Sequence, residues 1–448
     1  MITEYLKIVL AGAGAYHFAP AILEDLFMGQ KTPVEVWMVD SDLDMAELTA
    51  RAAQSLARAF GTPARFYYTT QLPKAVFSAD AVFLCADYLD EEGWKSDFET
   101  MDGVGLGKQV RLYGGLGGLM QTLRAGGFVG NLAEQMAREC PGAPLLICDN
   151  GFGGMQLGRL CDGIARVYGI RTLGLSAVTE QTRTRLSLYL NVPEQDLLVT
   201  CAGLNAFSWV TQLRNGKTGE DLTERCMKEM REDPREELSA QYIDFYGAIP
   251  AGSRVMQYEL LPDTPLSPRR TVLYSGVGYA DYELRKRNLA LLTVHGPLTP
   301  KGMEAWGQIR TSGYSSVRPA SVFFALSQGK CRVDSLCMPG DGALEGTVPG
   351  RYVEGPAEIE AGKITGVACQ LPLELEDLLN QISLSNRLYG EAALTGSRDL
   401  IREAMEIDPA LSGLDLLYCE EVVDEMMEKQ KARLPRFFGE DGGTHVSG

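Results

Sequence analysis

Short, continuously apolar segments alternate with helical patterns through the first third of the chain, and this alternation limits the fold more than any other feature. The apolar segments cover residues 8–11, 34–39, 81–86 and 145–148, and helical spacing covers residues 20–28, 44–60, 119–139 and 152–168. Strands that are apolar throughout are typical of a sheet covered on both faces. Strands that alternate with helices indicate a parallel sheet with right-handed crossovers. We therefore predict an α/β protein with a Rossmann-type parallel sheet.

The pattern changes after about residue 173. Residues 197–210 form a long β-prone stretch, and helical patterns follow over residues 220–236, 278–292, 316–327, 373–394 and 412–431. We expect a Rossmann domain over residues 1–175 and a mixed α+β substrate and oligomerisation domain over residues 176–438. The polar tail, residues 439–448, is expected to be disordered.

Composition excludes several classes of partner. The 448 residues carry a formal net charge of -17, which argues against binding to nucleic acid or to an anionic membrane. The densest basic run, Arg285-Lys286-Arg287, is interpreted as one solvated helix turn. No apolar run approaches the roughly 18 residues of a membrane span, and the first residues do not resemble a signal peptide. Ten cysteines without a C-x-x-C pair favour the reducing cytoplasm.

A glycine loop after the first apolar segment points to a dinucleotide. Gly12 and Gly14, followed by Ala15, would let backbone N–H groups approach a pyrophosphate at a helix N-terminus. His17 stands where the third glycine of the usual fingerprint would be. The second strand ends at Asp40, whose carboxylate would accept hydrogen bonds from ribose hydroxyls and repel a 2′-phosphate. These residues favour NAD over NADP; the alternative is a plain tight turn in a domain without nucleotide.

A second glycine cluster, residues 114–118, precedes a helix that carries Arg124. One interpretation places this helix N-terminus against the cofactor or an anionic group of the substrate, with Arg124 nearby. The other interpretation is a flexible loop followed by a surface arginine. The spacing alone does not separate the two.

Several segments, in this order along the chain, resemble glycoside hydrolase family 4, the NAD- and divalent-metal-dependent glycosidases related in fold to lactate and malate dehydrogenases. They lie at residues 7–14, 115–118 with 123–124, 140–150, 203–209 and 256–263, with further landmarks that include residues 339–348, 353–354, 371–372 and 408–409. The resemblance spans residues 7–437. It implies a Rossmann fold, NAD as cofactor and a small glycoside as substrate.

Two positions depart from the metal-binding pattern of that family. The resemblance implies a metal held by a cysteine at a strand end and by the histidine of a Gly-Leu-Asn-His motif. Ser176 stands at the first position and Ala206 at the second. Serine is a poor ligand for such a cation and alanine is none. We therefore expect no manganese site of the usual kind.

The resemblance also assigns roles to individual residues. Tyr258 matches the segment that supplies the base, although a tyrosine with an ordinary pKa of about 10 needs a neighbouring cation for that role; the alternative is a core tyrosine. Asn150 is expected to contact cofactor and sugar, and Ser176 and Asn205 to line the sugar site. Candidates to replace the charge of the metal are Arg124, Arg310 and His295, and Arg124 and Arg310 are also expected to contact the substrate.

Residues 176–179, Ser-Ala-Val-Thr, look most like the 6-phospho-β-glucosidase branch of the family. This implies a glycosidase that acts on a small glycoside, with a 6-phospho-β-glucoside as the substrate of that branch, by oxidation of carbon 3 and elimination. The alternatives are an NAD-dependent sugar or hydroxy-acid dehydrogenase and a non-catalytic NAD-binding relative. The resemblance further implies a homo-oligomer, either a dimer or a tetramer.

Overall fold

The computed structural model describes residues 5–14, 19–28, 32–86, 90–148, 157–252, 257–262, 277–312, 317–327 and 329–439. For residues 20, 21, 91, 277–282 and 310–312 it describes the backbone alone. The tail predicted to be disordered lies, from residue 440 onward, outside the described residues.

A single mixed sheet organises the protein. Its strands follow the spatial order β3-β2-β1-β4-β5-β6-β9-β10-β7-β8, with β11 paired to β10. The strands are β1 (Leu6–Ala11), β2 (Val34–Val39), β3 (Ala64–Thr69), β4 (Ala81–Leu84), β5 (Leu145–Cys148), β6 (Thr172–Leu175), β7 (Leu197–Leu204), β8 (Phe207–Asn215), β9 (Lys330–Pro339), β10 (Tyr352–Glu360) and β11 (Lys363–Gly366). The first six strands pair in parallel, in the order typical of a Rossmann domain.

The α-helices cover both faces of the sheet and extend over the second half of the chain. They are α1 (Ala19–Phe27), α2 (Leu43–Phe60), α3 (Leu72–Val76), α4 (Glu91–Gly103), α5 (Gly115–Glu139), α6 (Leu157–Tyr168), α7 (Val178–Leu190), α8 (Thr223–Glu232), α9 (Glu237–Tyr246), α10 (Val277–His295), α11 (Pro300–Ser312), α12 (Pro319–Ser327), α13 (Leu373–Thr395), α14 (Arg398–Ile407), α15 (Leu416–Lys429) and α16 (Pro435–Phe438). None of the helices in the described ranges is long and apolar enough to cross a membrane.

Burial on both faces explains why the parallel strands are continuously apolar. Along β1, Ile8 and Leu10 belong to one core cluster, whereas Val9 and Ala11 belong to another. The first cluster includes residues of α1, α2, α10, α11 and α12, and the second includes residues of α3, α5 and α6. Successive side chains of a strand point to opposite faces, so a strand with helices on both sides needs apolar residues at every position. The α/β prediction is confirmed.

The second half of the chain extends the same sheet. β6 pairs antiparallel with β9, and β9, β10, β7 and β8 continue the sheet in antiparallel pairs. The β-prone stretch of residues 197–210 contains β7 and the start of β8, which are separated by the two-residue turn Asn205-Ala206. Sequence patterns missed β3, β6, β9, β10 and β11, because charged residues interrupt the apolar pattern of β3 and β9, a Gly-Pro pair interrupts that of β10, and β6 and β11 are only four residues long.

The prediction of a solvated basic turn at residues 285–287 is wrong for Arg285. This residue is 1% exposed on the inner face of α10, whereas Arg287 is exposed. Consecutive residues point about 100° apart around a helix, so one of three adjacent cations can face the core while another faces water.

Close helix packing makes one glycine indispensable. A Cβ atom on Gly390, in α13, would lie 2.0 Å from the carbonyl oxygen of Arg159 in α6. We predict that Gly390→Ala lowers the free energy of unfolding by about 2 kcal/mol or more, because α13 must move away from α6. Urea denaturation measures this change.

Gly307→Ala is the matched control, because Gly307 is also helical and a Cβ atom there would meet no atom within 4 Å. It should stabilise the protein by up to about 1 kcal/mol. Equal effects of the two substitutions would contradict the packing account.

Candidate active site at the carboxyl edge of the sheet

The glycine loop lies where strands β1, β2 and β4 end. Gly12 adopts a φ of +82°, and a Cβ atom there would lie 2.3 Å from Cα of Ala86, just after β4. Its N–H donates to the carbonyl of Val39 at 2.8 Å. Only glycine combines this backbone conformation with so close an approach. The loop therefore exposes backbone, rather than side chains, at the carboxyl edge of the sheet.

Asp40 closes the loop from the end of β2. Its Oδ2 accepts the N–H of Gly14 at 2.7 Å, and its Oδ1 accepts the N–H of Asp42 at 3.0 Å. An ionised carboxylate offers about four acceptor positions, so ribose hydroxyls can still bind. A glycine loop, a helix that starts shortly after it and an acidic residue at the next strand end fit a dinucleotide. Ala15 lies outside the described residues.

A buried carboxylate lies on the other side of this edge. Glu354, in β10, is 1% exposed, and its Oε2 accepts a hydrogen bond from Nδ2 of Asn205 at 3.1 Å. Oγ of Ser208 lies 2.9 Å from its Oε1, and the hydroxyl of Ser176 is near enough to lower the pKa of this carboxyl. Glu354 thus joins the end of β6, the turn between β7 and β8, and β10. We call these four residues the Glu354 cluster.

Asn205 also fixes the start of α6. Its Oδ1 accepts the backbone N–H of Leu157 at 3.1 Å. Leu157 follows directly on residues 149–156, which contain Asn150 and lie outside the described residues. Asn205 therefore positions the helix next to the segment predicted to contact cofactor and sugar. A direct contact between Asn205 and the substrate stays a prediction.

The residues at the two family ligand positions do not fit a metal ion. Ser176 offers a neutral hydroxyl, which is a poor metal ligand, and Ala206 presents a methyl group with no donor atom. Ala206 nevertheless keeps a φ of +64°, a left-handed conformation that is uncommon for alanine. Among the described residues no group of three or more His, Cys, Asp or Glu side chains could hold an ion. We derive no chemistry through a metal here.

Tyr258 is packed beside a cation. It is 3% exposed, and the guanidinium of Arg111 lies 4.3 Å from the centre of its ring. Arg111 also donates to the carbonyl of Leu261 at 2.6 Å and to that of Tyr258 at 3.0 Å. The preceding Gln257 donates to the carbonyl of Ser208 at 2.7 Å, which connects this segment to the Glu354 cluster. The structure thus brings Tyr258, Asn205 and Ser176 into one region and supplies a cation beside the tyrosine.

The second glycine cluster serves close backbone packing. A Cβ atom on Gly114 would lie 1.6 Å from the carbonyl oxygen of Glu259, and one on Gly117 would lie 2.4 Å from that of Arg111. The carboxylate of Glu259 accepts the N–H of Leu112 at 2.9 Å. These contacts hold the segment with Tyr258 against the start of α5. Close packing therefore explains why these positions are glycine, and no anionic ligand at the start of α5 is needed to explain it.

Arg124 forms an internal ion pair. Its Nη1 donates to Asp97 at 2.7 Å and to Gln430 at 2.9 Å, and its Nη2 donates to Gln121 at 2.8 Å. Asp97 lies in α4, and Gln430 follows α15. Arg124 therefore ties α4 and the C-terminal segment to α5. Its predicted contact with substrate stays a prediction, and it would have to share these donors.

His295 and Arg310 are the other two candidates to replace the charge of the metal. His295 ends α10, and a Cβ atom on the next residue, Gly296, would lie 3.6 Å from Oγ of Ser55 in the second half of α2. Because α2 starts at the carboxyl edge and runs away from it, His295 lies toward the opposite edge. Arg310 belongs to α11, where the structure describes only the backbone at this residue.

Sequence reasoning missed Glu354 and Arg111 as site residues. Residues 353–354 are a landmark of the family resemblance, and Glu354 is also an acidic residue directly after the apolar pair Tyr352-Val353. A charge at such a position is costly unless it is hydrogen-bonded, and this cost marks it as a site candidate. Arg111 gives no such sign, because its partners lie about 150 residues away along the chain.

Family models match most of the chain. The family 4 glycosyl hydrolase model matches residues 7–187, and the model of the family 4 glycosyl hydrolase C-terminal domain matches residues 201–411. Together they include the Glu354 cluster and every strand except the first residue of β1 and the first half of β7.

Relatives match over nearly their whole lengths. The chain is 25% identical to a probable 6-phospho-beta-glucosidase of Bacillus subtilis (strain 168), with 98% of this chain and 99% of the relative covered. It is 24% identical to an alpha-glucosidase of Erwinia rhapontici, with 95% and 98% covered. The 6-phospho-beta glucosidase from Thermotoga maritima, solved with manganese, NAD+ and glucose-6-phosphate, is 16% identical with a TM-score of 0.70, and 95% and 98% are covered. The last likeness shows the fold alone.

The Arg124–Asp97 ion pair generates a stability prediction. Removing one partner leaves the other charge buried, so Arg124→Leu should lower the free energy of unfolding by about 3 kcal/mol or more. Lys95→Met is the control, because the Lys95–Glu99 pair is exposed and should contribute less than about 0.5 kcal/mol. Urea denaturation tests both. An unchanged stability with Arg124→Leu would show that the pair is not structural.

Glu354 generates a pH prediction. Burial raises the pKa of Glu354, against the hydrogen bonds from Asn205, Ser208 and Ser176, which lower it. The pKa of glutamate in the unfolded chain is about 4.3, so the folded protein binds the proton of Glu354 more tightly than the unfolded chain does. The resulting stability is present below that pH and is lost as the pH rises through the folded pKa. Glu354→Gln cannot ionise and escapes this loss.

The stability of Glu354→Gln relative to the wild type should therefore rise between about pH 4 and pH 8. Urea unfolding at a series of pH values gives the difference. Glu358→Gln, an exposed position of the same strand, should show a difference that does not vary with pH. If the stability difference between Glu354→Gln and the wild type also did not vary with pH, the pKa of Glu354 would not be raised.

Proposed function

Because the chain belongs to family 4 of the glycosyl hydrolases, we propose that it is an NAD-dependent glycosidase that cleaves a small glycoside without the usual manganese site. The observation that carries this proposal is the match of the two family models over residues 7–187 and 201–411. A 6-phospho-β-glucoside is the substrate we propose, on the likeness to the Bacillus subtilis relative and on residues 176–179.

The chain's own residues would divide the work in the following way. NAD, when bound, would supply the hydride acceptor for carbon 3 of the sugar and the hydride that is returned at the end. Gly12, Gly14 and Asp40 would hold the dinucleotide, with Ala15 and Asn150 as further predicted contacts. Oxidation at carbon 3 acidifies the proton on carbon 2, which Tyr258 would remove. The glycosidic bond then breaks by elimination, and water adds to the resulting double bond.

Arg111 supports the role of Tyr258 as a base. Its positive charge lies beside the tyrosine ring and favours a negative charge on the phenol oxygen. Asn205 and Ser176 would hydrogen-bond the sugar or the nicotinamide while they stay attached to Glu354. Hydrogen-bond donors or cations of the chain must then stabilise the negative charge that a metal would neutralise on the oxidised sugar.

A second candidate function follows from Ser176 and Ala206. A sugar or hydroxy-acid dehydrogenase needs the hydride step alone, so the lack of metal donors at these positions would cost it little. A non-catalytic NAD-binding relative would tolerate that lack as well. The three functions differ in their products: a glycosidase uses NAD without net consumption, a dehydrogenase accumulates NADH, and a non-catalytic protein does neither.

The test is an assay of chromogenic β-glucosides, with and without a 6-phosphate, in the presence of NAD and EDTA. We expect release of the aglycone without net NADH and, in D2O, incorporation of deuterium at carbon 2 of the sugar. NADH accumulation without cleavage would establish the dehydrogenase instead. NAD binding with neither product over a broad panel of glycosides would establish the non-catalytic relative.

Tyr258→Phe tests the proposed base. Loss of a positioned base should lower kcat by about 100-fold or more, and NAD affinity should stay unchanged. Tyr246→Phe is the control, because Tyr246 is a half-buried tyrosine of α9 that packs on Trp209 and has no proposed role. Full activity of Tyr258→Phe would show that another group removes the proton.

A further inference from the structure

Three arginines and two acidic residues meet where α6 and α13 approach the start of β10. Nε of Arg166 donates to Oδ1 of Asp162 at 2.6 Å, and it lies 3.9 Å from Oε1 of Glu391. Nε of Arg387 donates to that same Oε1 at 2.9 Å. Nη2 of Arg166 donates at 3.2 Å to the carbonyl oxygen of the residue before Arg351, which brings these two arginines together. We call these five residues the Arg351 cluster.

The Arg351 cluster carries one positive charge in excess, because three guanidinium groups share two carboxylates. Asp162 and Glu391 accept hydrogen bonds from the other two arginines. Nη1 of Arg351 is shielded from water and has no hydrogen-bond partner among the described residues. Burial, and then the positive charge of Arg387, lower the pKa of Arg351. A shielded donor on a charged group is costly without an acceptor, so this position favours an anion.

The loop before β10 holds its shape without the guanidinium of Arg351. The backbone N–H of Arg351 donates to the carbonyl of Val348 at 3.3 Å, and its carbonyl accepts the N–H of Gly340 at 2.7 Å. The exposed Asp341 accepts the N–H of Gly350 at 3.0 Å and forms no ion pair within the described part of the chain. The side chain of Arg351 is therefore presented by a fixed backbone and is not needed to hold it.

Open space adjoins the cluster on the solvent side. The side chains of Arg166 and Arg387 are 37% and 32% exposed, whereas that of Asp162, on the inner side, is 4% exposed. A Cβ atom on Gly350, directly before Arg351, would meet no atom within 4 Å. A ligand of a few atoms can therefore reach these arginines from water without displacing a side chain at Gly350.

The cluster lies away from the proposed active site. Tyr352, the residue after Arg351, donates from its hydroxyl to the carbonyl of Thr172 at 2.9 Å. Thr172 is the first residue of the parallel strand β6, so this contact places Arg351 beside the edge at which that strand begins. The glycine loop and Asp40 follow the opposite, carboxyl ends of the parallel strands. A ligand at the Arg351 cluster would therefore not occupy the dinucleotide site.

We propose that the Arg351 cluster binds a phosphate group, either as inorganic phosphate or as a small phosphate monoester. A phosphate group carries more than one negative charge near neutral pH and so offsets the excess positive charge of the cluster. The planar fork of Arg351 matches two phosphate oxygens, and the remaining oxygens can accept from Arg166 and Arg387. Asp162 and Glu391 hold those two arginines in place before the ligand binds.

The experiment is a calorimetric titration of the whole protein, without sugar, with inorganic phosphate and with methyl phosphate at constant ionic strength. Arg351→Gln should weaken the binding of inorganic phosphate by about tenfold or more, because it removes both the excess charge and the fork. Arg351→Lys keeps the charge and should weaken it by less. Arg214→Gln, at an exposed arginine of β8, is the matched control and should change nothing.

Phosphate bound at the carboxyl edge of the sheet would not respond to Arg351→Gln, so the binding lost in this variant belongs to the cluster. Methyl phosphate separates the two sources of the ligand. Binding of both probes supports a site that accepts monoesters, and binding of inorganic phosphate alone supports a site for the free ion.

Unchanged phosphate affinity in Arg351→Gln, or no phosphate binding by the wild type, would overturn the proposal. If Arg351→Gln does not fold, Arg387→Gln decides: weaker phosphate binding supports the site, and unchanged binding rejects it. Acetate that binds as tightly as phosphate would show a carboxylate site instead. None of these results depends on whether the protein cleaves a glycoside.

Discussion

The burial of one carboxylate, that of Glu354, holds together the part of the molecule in which chemistry is proposed. A charged group in a dry interior needs hydrogen-bond donors. Asn205 and Ser208 supply them to Glu354, and the nearby hydroxyl of Ser176 lowers its pKa. Asn205 extends the connection to the start of α6. The last parallel strand and the antiparallel extension of the sheet therefore meet at a fixed polar cluster.

The same cluster lies at Ser176 and beside Ala206, the two positions that depart from the metal-binding pattern. The turn at Asn205-Ala206 retains its left-handed residue, although alanine gains nothing from that conformation. Hydrogen bonds from Asn205 and Ser208 to Glu354 hold the backbone of this turn in place. Arg111 places a positive charge beside the ring of Tyr258.

The parts of the fold and the site that depend on residues close together in the sequence could be predicted. Continuous apolar segments predict buried parallel strands, and Gly12 with Asp40 predicts the loop that the structure contains. The predictions that failed concern contacts between residues that are far apart in the sequence. Nothing near Arg111 indicates its carbonyl partners at residues 258–261, and nothing near Arg124 indicates Asp97 and Gln430. A basic triplet also gives no sign of which arginine faces the core, so Arg285 was assigned to water.

The most direct test of this account is a calorimetric titration of the NAD-saturated protein with manganese. The account predicts that NAD binds and that manganese then gives no specific heat of binding, because Ser176 offers a poor ligand and Ala206 offers none. Stoichiometric binding of manganese that requires NAD and is lost in Ser176→Ala would contradict it. Such a result would show that Ser176 ligates the ion.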